Sequence, residues 1–112
     1  MAAVPSLSPL EFQVLLALSA GPSHGYAIGK DVQLRSGGRV DPTTGALYHI
    51  LRRLEDGGLV EPAPQARGRD EDARRRYFRI TAAGRRAAEH EATHLASLVA
   101  AARERKLLRA ER

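Results

Sequence analysis

The chain has 112 residues, enough for one domain or one domain plus an arm, with a limited core that a second copy could extend. It contains no cysteine, which excludes disulfides and zinc sites of the cysteine type. The formal charge is +5 and the cations are nearly all arginine, with lysine only at Lys30 and Lys106. That balance favours polyanion partners, and arginine suits forked contacts to phosphate or guanine.

Met1 to Pro5 shows neither a basic start nor a long apolar run, so no signal peptide is expected. Val14–Leu18 is too short to cross a bilayer, and a cytoplasmic protein without a membrane partner is expected. Residues 1–6 read as a disordered tail. Ser8-Pro9-Leu10-Glu11 then matches a capping box, opening a helix to about Ser19 with Leu10, Val14, Leu15 or Phe12, Ala17 and Leu18 inward. Ala20-Gly21-Pro22 breaks it. Ser23 is expected to cap a second helix, His24 to about Arg35. Gly25 and Gly29 lie four apart in it, and each costs about 1 kcal/mol against alanine, so close packing against a neighbour is predicted.

The third helix has both ends marked. Asp41 is the expected N-cap, with Pro42 at the first helical position, and Gly57-Gly58 the stop. Leu47, Ile50, Leu51 and Leu54 recur at helical spacing and face inward. Gly45, Tyr48, His49, Arg52 and Arg53 are left for the outer face, which carries no acid before Glu55 and Asp56. One buried and one basic face make this a candidate DNA-reading helix.

Beyond Gly58 the period changes. Leu59-Val60-Glu61 reads as a strand ending at Pro62 and Pro64, and Arg75 to Ile80 as the returning strand of a hairpin with a long polar tip. The tip and second strand carry Arg67, Arg69, Arg74, Arg75, Arg76 and Arg79 against Asp70, Glu71 and Asp72. Such a wing can lie along phosphates or enter the minor groove, with Arg79 placed to stay with the body. Thr81 caps a last helix, Ala82 to about Leu108. It is out of proportion to the others, and Ala88, Glu91, Leu95, Leu98, Val99 and Ala102 trace a stripe along it. An apolar stripe on so long a helix predicts a homodimer surface.

The order α-α-α-β-β-α predicts a mainly α fold, a winged helix-turn-helix over residues 7–81 with a C-terminal dimerisation helix over 82–112 and a frayed end. The expected function is a homodimeric, sequence-specific regulator on double-stranded DNA. Thr43, Thr44, Gly45, Tyr48, His49 and Arg52 are placed at the major groove, Arg53 toward phosphates, and Arg67, Arg69, Arg74, Arg75 and Arg76 on the wing. The alternative is a dimeric protein-interaction adaptor on the same fold, without DNA binding.

The ordered set Leu10…Val14-Leu15…Leu18, His24-Gly25-Tyr26…Ile28, Thr44-Gly45…Leu47-Tyr48…Leu51…Leu54-Glu55…Gly57-Gly58-Leu59-Val60 and Arg76-Tyr77-Phe78…Ile80-Thr81…Gly84 resembles the PadR family of transcriptional regulators. The resemblance spans roughly residues 7–90 and is closest to the short subgroup with one C-terminal helix. It implies a homodimeric bacterial repressor whose third helix enters the major groove between flanking wings. It also implies a place for Tyr48 near the DNA backbone, and a structural or backbone-contacting role for Gly25 and Tyr26. Some members of that family release DNA when a small molecule binds near the dimer helices. No cofactor is expected, and no effector is identified.

His90-Glu91-Ala92-Thr93-His94 matches H-E-x-x-H on a predicted helix. A zinc peptidase needs a third ligand and a substrate cleft. Ser97 and Ala100 stand where the extended pattern has glycine and histidine, and the remaining carboxylates lie on the same helix or its end. The pair therefore reads as structural or solvated, with a regulatory metal site completed by a group from the partner subunit as the alternative that the i, i+4 spacing leaves open; no enzyme is predicted.

Overall fold

A computed structural model describes residues 4–64 and 76–109. The elements in chain order are α1 (Pro9–Leu18), β1 (Ser23–His24), α2 (Gly25–Arg35), α3 (Thr44–Asp56), β2 (Val60–Ala63), β3 (Tyr77–Ile80) and α4 (Ala82–Glu104). The sheet is antiparallel with order β1-β3-β2. This is the expected mainly helical winged helix-turn-helix, with one strand that the sequence reading lacked.

The helix starts follow from local chemistry. Ser8 Oγ accepts from the Glu11 amide at 3.1 Å while Glu11 Oε1 accepts from the Ser8 amide at 2.8 Å, so the capping box is complete. Thr81 accepts from the Gly84 amide at 3.0 Å and its hydroxyl donates to the Gly58 carbonyl at 2.7 Å, tying α4 to the end of α3. Two expected caps move. α2 is capped by His24, whose Nδ1 accepts from the Ala27 amide at 3.3 Å, while Ser23 joins His24 in β1. α3 is capped by Thr43, not Asp41, through a 3.1 Å bond from the Ala46 amide, which leaves Pro42 outside the helix.

The stop of α3 is glycine-driven. Gly58 takes a φ of +76°, the Leu59 amide reaches back to Leu54 and the Gly58 amide to Glu55. α4 ends earlier than expected, at Glu104, in the same pattern: Lys106 holds a φ of +66°, the Leu107 amide bonds Ala102 and the Lys106 amide bonds Arg103. Pro62 lies inside β2 instead of ending it. β2 is an edge strand, where a missing N–H breaks no ladder bond.

The core gathers Val14, Leu15 and Leu18 of α1, Ile28 and Val32 of α2, Leu47, Leu51 and Leu54 of α3, Val60 and Phe78 of the hairpin, and Ala87 of α4. Leu10, Phe12, Ala17 and Ile50 pack against its edge. Gly84 is fixed by α4 meeting the end of α3, since a Cβ there would collide with the Leu59 carbonyl oxygen. From Ala92 to Ala100 every residue of α4 is exposed, so this half of the helix runs clear of the body.

Candidate nucleic-acid interface

α3 presents three strips. Leu47, Leu51 and Leu54 are buried. Gly45, His49 and Arg52 stand exposed on the opposite side, with Thr43 and Thr44 exposed at the helix start. Gly45 leaves open space, for a Cβ there would meet nothing within 4 Å. Arg52 has no ion-pair partner among the described residues, so its guanidinium is available to an outside anion.

Tyr48 and Arg53 flank this ridge, and neither is simply outward. Tyr48 is half-buried against the core, with its ring across Gly25 at the start of α2. Gly29, one turn further, faces Leu47 Cδ2. The glycine pair of α2 thus serves its predicted purpose, seating α3. An open cleft of about 260 Å³ lies between these helices, with Tyr26, Lys30, Thr44 and Tyr48 at its edges. On the other flank, Arg53 Nε pairs with Glu11 Oε2 at 3.4 Å; the arginine side chain is 62% exposed and the carboxylate 10%.

The wing root is held in the same way. Arg76 lies over the Phe78 ring at 5.1 Å and faces Glu55 at 3.9 Å. Arg79 Nε pairs with Glu61 across the hairpin at 2.7 Å, so it stays with the body. Arg67, Arg69, Arg74 and Arg75 lie outside the described residues.

On α4, Ala88 packs on the core edge, Glu91 and Ala102 are half-buried, and Leu95, Leu98 and Val99 are exposed at 38%, 52% and 44%. Phe12, Leu16, Ile80, Ala88 and Ala92 line an apolar groove between α1 and the base of α4. His90 and His94 are both exposed on this helix. No group of three metal-ligating side chains occurs among the described residues. No described helix is long and apolar enough to cross a membrane.

Residues 14–90 match the Transcriptional regulator PadR-like family. The chain belongs to that family. PadR-like proteins are transcriptional regulators. This PadR-like chain is 45% identical over 85 residues to an uncharacterized 37.1 kDa protein in transposon TN4556 of Streptomyces fradiae. The match covers 76% of the chain and 22% of that protein, so the chain spans about a fifth of its relative. Among solved structures, a PadR family transcription regulator from hypervirulent Clostridium difficile R20291 superposes with a TM-score of 0.72 at 20% identity, covering 87% of this chain and 97% of that one. A transcriptional regulator from Clostridium thermocellum superposes with a TM-score of 0.70 at 22% identity, covering 88% and 97%. At these identities the likeness shows the winged-helix fold.

Glu11 is the site-side residue that sequence reasoning missed. Its place in the capping box was legible; its reach to Arg53 was not. Ser23-His24 as a strand was missed as well.

Proposed function

We propose that this PadR-like chain is a cytoplasmic, homodimeric repressor that binds an inverted repeat in double-stranded DNA. The observation that carries this is the exposed α3 ridge of Gly45, His49 and Arg52, with Arg52 unpaired among the described residues beside a wing root where Arg76 and Arg79 are already paired. On this reading the ridge enters the major groove. Thr43 and Thr44 hold a phosphate at the first turn of α3, Tyr48 supports the backbone side, and Arg53 meets phosphate. Arg76 anchors the wing, and Arg67, Arg69, Arg74 and Arg75 serve its tip.

Dimerisation uses Ala88, Glu91, Leu95, Leu98, Val99 and Ala102. Leu98 lies midway between Ala92 of the apolar groove and the helix end at Glu104, about 9 Å from each at 1.5 Å per residue. A two-fold antiparallel crossing at Leu98 therefore brings the end of one α4 to the groove of the other copy. Half-sites about one helical turn apart, ~34 Å, suit two α3 helices so held.

A gel-shift salt series on the promoter region of the protein's own gene tests the reading. A steep loss of affinity with salt, and one protected inverted repeat, are expected. No binding at low salt would favour the adaptor role.

A further inference from the structure

Glu11 is an anomaly in this fold. It is a carboxylate at 8% exposure, in the first turn of a helix whose neighbours in the core are aliphatic. A buried carboxylate is tolerated only when its oxygens are occupied. One oxygen, Oε1, takes the Ser8 amide at 2.8 Å. The other, Oε2, faces Arg53 Nε at 3.4 Å. Arg53 belongs to α3, so one carboxylate locks the start of α1 and grips the flank of the reading helix.

The closest approach is the Nε–Oε2 ion pair, and the Arg53 side chain is 62% exposed. A guanidinium biased by a charge behind it loses less freedom on meeting an anion than one free in solvent. The charge of Glu11 also lies behind Arg53, on the protein side, where it orients the cation without occupying its front.

We propose that Glu11 is a positioning residue for DNA binding: held by the Ser8 backbone amide, it braces Arg53 so that the guanidinium is presented to a backbone phosphate. This rests on the DNA-binding reading above and adds a residue that does not itself reach the duplex. The brace needs the arginine fork. A lysine carries its charge on a single nitrogen, which cannot lie beside Glu11 and reach a phosphate at the same time.

The test measures Kd for a duplex carrying the protected repeat, and for a random duplex of equal length, across a salt series. The proteins are the wild type, Arg53→Ala, Arg53→Lys, Glu11→Gln, the Arg53→Ala/Glu11→Gln double variant and Ser8→Ala. Arg53→Ala should weaken both duplexes about tenfold and lower the salt slope by about 0.9 per subunit. Arg53→Lys, at a mostly exposed position, should lose nearly as much affinity while keeping the slope. Glu11→Gln should weaken binding several-fold in the wild-type background and not at all in the Arg53→Ala background. Ser8→Ala, which removes a cap bond and leaves the pair, should leave Kd unchanged. Wild-type affinity in Arg53→Lys, tighter binding by Glu11→Gln, additive effects in the double variant, or a Ser8→Ala loss equal to that of Glu11→Gln would each overturn the brace. Absence of DNA binding by the wild type would instead remove the reading beneath it.

Discussion

The Tyr48 ring lies across Gly25, where a Cβ would stand 2.5 Å from the phenolic oxygen and 2.6 Å from Cζ. The two residues come from the starts of α2 and α3, so the tyrosine sets how closely the pair of helices approaches on the proposed DNA side. In Gly25→Ala the methyl would have to displace the far end of a side chain, not backbone. The gain in helix propensity offsets part of the strain. Stability should change by no more than about 1 kcal/mol by denaturant titration. The near-ultraviolet circular dichroism of Tyr48 should change, and DNA affinity should fall.

Gly84→Ala is the contrasting case. The colliding atom is the Leu59 carbonyl oxygen, which is backbone and already accepts from the Thr81 amide at 3.1 Å. Relief requires α4 to move off the end of α3. A loss of about 3 kcal/mol or more is expected, seen as a large fall in the urea midpoint.

Arg52→Ala tests base reading. Its guanidinium has no ion-pair partner among the described residues, so truncation strands no described carboxylate and folding stability should hold. Affinity for the protected repeat should drop by about 1–3 kcal/mol with relaxed preference at one base pair, read by selection from a randomised duplex. Equal losses on specific and random DNA would assign Arg52 to phosphate.

Leu98→Glu tests the dimer face. Leu98 is 52% exposed and lies within the stretch of α4 in which every residue is exposed, so the monomer fold should survive. Two carboxylates at the centre of a two-fold contact oppose burial and each other. Light scattering after size exclusion should show the dimer giving way to a monomer, with binding to the full repeat lost before binding to a half-site.

Much of the architecture was legible because it is written in neighbouring residues. Ser8 with Glu11, Thr81 with Gly84, and Gly57-Gly58 before Leu59 act within a turn of the chain, and Leu47, Leu51 and Leu54 repeat at helical spacing. The errors have equally local causes. Asp41 and Thr43 are both good caps two residues apart, and nothing in the sequence says which accepts the amide. Ser23-His24 is too short to show a strand period, and its pairing is supplied by Tyr77 and Phe78, far along the chain. Glu11 and Arg53 meet only once α1 and α3 have packed. The site is thus readable as a list of outward residues on α3, while the partners that fix them are not.

His24 has a consequence for how this protein can meet a duplex. It caps α2 and pairs in register with Tyr77, with the two rings edge-on at 5.1 Å, so β3 is flanked by β2 on one side and by the root of α2 on the other. The hairpin base cannot swivel without unseating the helix that carries Gly25, and with it Tyr48. On the proposed reading, α3 and the hairpin base therefore arrive at DNA as one casting with a fixed gap between them. In the proposed homodimer, tolerance for differently spaced operators has to come from the joint between subunits, and mutations along the outer half of α4 are where a change of preferred spacing would arise.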